Sequence, residues 1–227
     1  MSQTVVFLFD VDNTLLDNDR VAADLREHLE RAVGQERQER YWIAFEKLRA
    51  ELGYADYLGA LQLYRAAYPH DPHLLTVSRF LLEYPFAERL YPNALDAVRY
   101  ARRFGKPVIL SDGDVVFQPH KVFRSGLYDA FEGAVLIYVH KELELGDVEQ
   151  RYPADHYVLV DDKVRILTAV RTTWGRRVTT VFPRQGHYAV DEKVVRGFPA
   201  PDFTIQAIRD LVELDFQAIT GSAAVRA

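Results

Sequence analysis

Residues 5–16 read VVFLFDVDNTLL: five apolar residues run straight into a carboxylate at Asp10, followed by a second at Asp12 and a hydroxyl at Thr14. The run is β-branched and aromatic with no polar interruption, which is how a strand buried on both faces of a parallel sheet reads. Such a strand cannot keep two unpaired carboxylates inside it, because burying an unpaired charge costs far more than one contact returns. Asp10 and Asp12 must therefore lie where the strand ends, at the carboxyl edge of the sheet, where open α/β sheets place their ligands. Two acids held together there form a cation site, and one of them can act as a nucleophile. An isolated Asp-x-Asp also reads as a solvated turn, but the buried-type run before this one favours a site.

After Leu16 the texture changes. Residues 17–89 lose their strand patterns and take on charged helical ones. Val21, Leu25 and Leu29 share one helix face. Residues 41–52, 57–68 and 74–82 read as three further helices, the second stopped by Pro69, with Asp19 expected to cap the first helix and Thr76 or Asp71 the last. The block is read as a separate all-helical subdomain inserted after the first strand. From Tyr91 onward helix and strand alternate. Apolar strands are expected at residues 108–110, 134–139, 157–160, 178–182 and 203–205, and helices at 92–104, 116–125 and 164–174, with a last helix after residue 205 and a frayed tail from Ser222. This alternation argues for a parallel sheet with helical crossovers. The expected organisation is a core of residues 1–16 and 90–227 with residues 17–89 as an insert.

Most of these strands end in a polar cluster. Ser111, Asp112 and Gly113 follow the second strand, where a hydroxyl and neighbouring backbone N–H groups can hold a phosphate oxygen. His140 and Lys141 follow the third, and a lysine there can offset phosphate charge and steady Asp10. Lys121 is a rival, set aside because it falls inside a helix. Asp161 and Asp162 follow the fourth, and adjacent acids at one edge repel unless a cation lies between them and the first pair. They read alternatively as a helix N-cap.

The four stations FDVDNTL, LSD, HK and VLVDDK, separated after the second by 30 and 20 residues, resemble the four motifs of the haloacid dehalogenase (HAD) superfamily of hydrolases. The helical block resembles the cap of that family's phosphatase-like branch. The resemblance implies a Rossmann-like α/β core, a helical cap and a magnesium ion. It implies that Asp10 is the nucleophile that becomes an aspartyl-phosphate. Asp12 would be the general acid and then the base for water, with its main-chain carbonyl on the metal. Ser111, Asp112 and Lys141 would hold the phosphoryl group. Asp10, Asp12 and Asp162 would serve the metal, with Thr14 and Asp161 behind them. The chain departs from the pattern at Asn13, where many relatives carry glycine. It lacks the proline that often follows Lys141, and Val164, Arg165 and Ile166 stand where a further acid is usual.

Asp12 sets the expected reaction. Halide leaves carbon without a proton, whereas the alkoxide of a phosphate ester needs one. A magnesium-dependent phosphatase for a small phosphomonoester is therefore expected. A phosphomutase or phosphotransferase, a haloacid dehalogenase and a vestigial, non-catalytic site are the alternatives. Composition narrows the partners. With no cysteine, disulfides, thiolate metal sites and cysteine nucleophiles are excluded, and a reducing cytoplasm is the expected compartment. A net charge of −5 without a clustered basic excess argues against nucleic acid. No apolar run approaches membrane-spanning length. The cap aromatics Trp42, Tyr54, Tyr57, Tyr64 and Tyr68 read as helix-packing core rather than pocket wall, and residues 184–188 as a solvated turn rather than a loop at the site. Oligomeric state and substrate identity are not legible.

Overall fold

The computed structural model describes residues 3–215, so the tail expected to fray from Ser222 lies outside the described residues. In chain order the elements are β1 (Val5–Phe9), α1 (Asn18–Val33), α2 (Gln35–Leu52), α3 (Tyr57–Ala67), α4 (Leu74–Glu83), α5 (Ala94–Arg102), β2 (Lys106–Asp112), α6 (Phe117–Arg124), α7 (Leu127–Ala130), β3 (Val135–Tyr138), α8 (Leu145–Arg151), β4 (His156–Val160), α9 (Val164–Trp174), β5 (Val178–Pro183), α10 (Gly186–Val190), α11 (Glu192–Arg196) and β6 (Phe203–Ile205). The expected final helix is a 3-10 turn, Ile208–Glu213.

The strands form one six-stranded sheet in the order β3-β2-β1-β4-β5-β6, parallel throughout. β1 is central, with Leu8 level with Val108 on one side and Leu159 on the other. All five of its residues are buried. Alternation divides them between the two faces: Val5, Phe7 and Phe9 join one core, and Val6 and Leu8 the other. Strand order reverses between β1 and β4, and the crevice beyond the strand ends at such a reversal is the ligand position of an open α/β sheet.

Helices α1–α4 occupy the segment read as the insert. Val21, Leu25 and Leu29 of α1 are buried, as their spacing predicts, in one cluster with Tyr41, Trp42 and Phe45 of α2. α2 starts six residues before the apolar signal does, because QERQER is a good helix former that carries no apolar stripe. Asp17, not Asp19, caps α1, accepting from the Arg20 N–H at 2.9 Å. α4 has no side-chain cap; Asp71 instead accepts from the His73 N–H at 2.9 Å. The two passages between block and sheet run side by side. Leu16 bridges Leu90, the Asp17 N–H donates to the Arg89 carbonyl at 2.8 Å, and the Tyr91 N–H donates to the Leu15 carbonyl at 2.9 Å. No helix among the described residues is long and apolar enough to cross a membrane.

Candidate active site

Register brings the acids together. Phe9 is level with Val160, so Asp10 emerges beside Asp161, and the Asp10 N–H donates to the Val160 carbonyl at 3.0 Å. Asp10, Asp161 and Asp162 are all buried, and each offers a carboxylate oxygen within 4.8 Å of the others. Thr14 ties the first loop to the fourth strand: its Oγ1 accepts from the Asp162 N–H at 3.1 Å. Asn13 turns that loop at φ 61°, a region that favours glycine and, next, asparagine, which accounts for the residue found there. Its Oδ1 accepts from the N–H groups of Asn18 and Asp19.

Lys141 is fully buried beneath this cluster. Its ammonium donates to Asp10 Oδ1 at 2.5 Å and to the Leu110 carbonyl at 3.3 Å, and lies 2.6 Å from Asp161 Oδ2. Burial alone would push the ammonium pKa down, but the carboxylates of Asp10, Asp161 and Asp112 overcome it and hold Lys141 well above the usual lysine value. Burial pushes Asp161 up to about 6 against the opposing pull of Lys141, with Asp10 adding to the rise. Burial likewise raises Asp162 well above the usual range; Lys163 opposes this, while Asp161 and Asp10 add to it. Asp112 accepts from the Lys141 backbone N–H at 2.8 Å and is raised mainly by burial. Ser111 Oγ accepts from Gln118 Nε2 at 2.9 Å.

Asp10 Oδ2 and both carboxylate oxygens of Asp162 are buried without a hydrogen-bond partner. Orphaned carboxylate oxygens in one buried cluster fit a hard, oxygen-seeking cation, which would satisfy the two of Asp162.

Asp12 does not join this cluster by its carboxylate. Its oxygens accept from Lys121 Nζ at 2.7 and 2.9 Å. The two lysines weighed as rivals thus take different acids, Lys141 holding Asp10 and Lys121 holding Asp12. Lys121 lies within α6, as the sequence places it, but on the face buried with Phe117, Gln118 and Val122. That i, i+1, i+4, i+5 stripe is the signal that locates it.

Asp10, Asp12, Ser111 and Asp112 open into a cavity of about 380 Å³. Its far wall comes from the helical block and includes Arg26, Trp42, Phe45, Arg49, Tyr54 and Tyr57. Trp42, Tyr54 and Tyr57 are therefore pocket wall, although Trp42 and Tyr57 are core as well. Tyr64 and Tyr68 pack on each other at 4.9 Å and take no part in the wall. Residues 184–188 are not a solvated turn: His187 and Tyr188 line the cavity, and Gln185 Nε2 donates to the Thr14 carbonyl at 3.2 Å. Lys163, also on the wall, carries an ammonium whose pKa is raised despite burial by Asp162 and Asp10.

Among solved structures, a Burkholderia xenovorans LB400 protein assigned to the haloacid dehalogenase-like hydrolases is 61% identical over 94% of this chain and 100% of its own, with a TM-score of 0.90. An L-2-haloacid dehalogenase from Xanthobacter autotrophicus shares the fold at 20% identity, with 92% of this chain and 97% of its own covered and a TM-score of 0.62. YfnB of Bacillus subtilis, solved bound to magnesium, shares it at 14% identity, with 93% and 98% covered and a TM-score of 0.60. No curated protein matches the sequence. The family model for haloacid dehalogenase-like hydrolases matches residues 4–152, spanning β1 through the end of α8 and so the first three of the four polar stations. With that match and the 61% identical relative, the chain belongs to the haloacid dehalogenase-like hydrolases and is an enzyme of that family.

Proposed function

We propose that the protein is a magnesium-dependent phosphatase that hydrolyses a small phosphomonoester through an aspartyl-phosphate on Asp10. The observation that carries this reading is Asp12: a second carboxylate opens into the cavity with Asp10 yet stands apart from the acidic cluster. A displaced halide has no use for a proton donor, and an alkoxide requires one.

The chain's own groups divide the work. Asp10 Oδ2, left without a partner while Lys141 holds Oδ1, is the oxygen that attacks phosphorus. Lys141 holds that carboxylate in place and offsets charge as the phosphoryl group arrives. Ser111, at the end of β2 and on the cavity wall, receives an equatorial oxygen. Asp12 gives its proton to the leaving oxygen and then takes one from the water that attacks the aspartyl-phosphate. The helical wall excludes water while the ester is bound. Asp10, Asp162 and the Asp12 main-chain carbonyl, with Asp161 alongside, would hold a magnesium ion, which would supply charge screening between carboxylate and phosphate.

The test is phosphate release from a panel of phosphorylated metabolites and aryl phosphates, with and without magnesium, beside halide release from 2-chloropropionate. Phosphate release that falls at least about 100-fold in excess EDTA supports the reading. Metal-independent halide release with no phosphate release overturns it. A second measurement needs no substrate. Wild-type protein melts higher as magnesium is added, by ligand linkage. Asp162→Asn removes the raised, crowded carboxylate and the cation site together. Without metal this variant is expected to melt at or above the wild-type temperature, each kcal/mol of relief raising Tm by about 2–4 °C, and to show no magnesium-dependent shift. A magnesium shift of undiminished size in this variant removes Asp162 from the site.

A further inference from the structure

Lys121 satisfies all three of its ammonium donors at one place. The side chain is 1% exposed, and Nζ donates to Asp12 Oδ1 at 2.7 Å, to Asp12 Oδ2 at 2.9 Å and to Asn18 Oδ1 at 3.0 Å. Asn18 is the first residue of α1, and its Nδ2 donates to the Tyr57 hydroxyl at 3.3 Å. Tyr57 is fully buried in the helical block and packs at 5.3 Å on Phe117, one turn before Lys121. A single buried cation thus grips both oxygens of Asp12 and is itself steadied from the block. Holding both oxygens fixes the plane of the carboxylate, which one hydrogen bond would not do. It also keeps Asp12 from turning toward the Asp10, Asp161 and Asp162 oxygens, where a fourth carboxylate would compete for the cation site.

We infer that Lys121 is a positioning residue for Asp12 that aims its carboxylate at the leaving-group oxygen, with Asn18 and Tyr57 linking that aim to the helical block. The inference rests on the phosphatase reading. In the first half-reaction the Asp10 Oδ2–phosphorus bond forms, the phosphorus–oxygen bond to the leaving group breaks, and the proton on Asp12 passes to the departing oxygen. In the second, water attacks phosphorus, its proton passes to Asp12 and the Asp10–phosphorus bond breaks. Only the proton transfers depend on Lys121. Its loss should therefore be felt in proportion to how badly the leaving group needs a proton.

The experiment compares kcat/KM, which reports steps through aspartyl-phosphate formation, for an alkyl phosphomonoester and for 2,4-dinitrophenyl phosphate, whose phenolate leaves unprotonated. Lys121→Met should lose about 100-fold or more on the alkyl ester and under about tenfold on the dinitrophenyl ester. Lys121→Arg should recover part of the alkyl activity, since it keeps the charge and two or more donors. If Lys121→Met is unstable, Lys121→Gln is read in the same way. A purely structural lysine would give equal losses on both esters, and that result, or no loss on either, overturns the assignment while leaving the phosphatase reading intact. Wild-type protein inactive on both esters with magnesium removes the phosphatase reading, and the role of Lys121 falls with it.

Discussion

An Asp10→Asn variant is expected to fold, to melt at or above the wild-type temperature and to lose at least about 10⁴-fold in kcat on every phosphomonoester the wild type turns over. The activity loss follows from chemistry that no neighbour can replace. The amide keeps the shape and offers the same oxygen to Lys141 at the Oδ1 position, but it cannot form the acyl phosphate through which the ester is hydrolysed. A 10⁴-fold loss is about 5.5 kcal/mol of transition-state stabilisation at about 1.4 kcal/mol per decade. Stability should move the other way. Asp10 adds to the raised pKa values of Asp161 and Asp162, so making it neutral relieves repulsion in a buried site. The measurement is kcat on the best ester alongside a thermal melt of the same preparation. Residual activity above about 1% of wild type, with contaminating phosphatase excluded, would place the nucleophile elsewhere.

Lys141→Met is expected to damage both fold and activity. The substitution keeps a flexible chain of similar length and removes only the cation. Asp10 Oδ1 and Asp161 Oδ2, at 2.5 and 2.6 Å from the ammonium, would then be buried carboxylate oxygens without a counter-charge. Removing one partner of a buried ion pair costs about 3–5 kcal/mol, which for a chain of this size corresponds to about 6–20 °C in Tm. Activity on any ester should fall by at least about 100-fold, because the nucleophile loses the charge that holds it in place. The double variant Lys141→Met/Asp161→Asn separates the two effects. Removing the second charge restores part of the melting temperature, while activity stays low because Asp10 remains unheld. A single variant that melts within about 1 °C of wild type would show that Lys141 is not the counter-ion of the buried acids.

Much of this site is legible in the sequence because it sits at strand ends. The run from Val5 to Phe9 reads as a doubly buried strand, which puts Asp10 at its rim, and Ser111, Lys141 and Asp161 stand at or just past strand ends in the same way. The segments least legible were those whose role depends on which way a side chain faces in three dimensions. A place inside a helix argues against Lys121 in the sequence, yet α6 turns one face into the site, and being helical does not decide which face a residue occupies. Residues 184–188 look like any polar turn after a strand; only the parallel placement of β5 beside β4 brings Gln185 within reach of Thr14 and His187 to the wall. The aromatic residues of the helical block divide between pocket and packing in a way their spacing does not encode, since Trp42 and Tyr57 do both. Asn13 is the opposite case: a departure from glycine in the motif is explained by one backbone angle.

The central place of β1 has a consequence for how the chain is made. β1 is made before either of its partners, residues 106–112 on one side and residues 156–160 on the other. Until the second of these has been synthesised, one edge of VVFLF stays open, an apolar and uncharged strand of the kind that pairs with other chains. Nascent or truncated chains that stop before residue 156 should therefore depend on chaperones, and Asp10 meets Asp161 and Asp162 only after that later strand has been made.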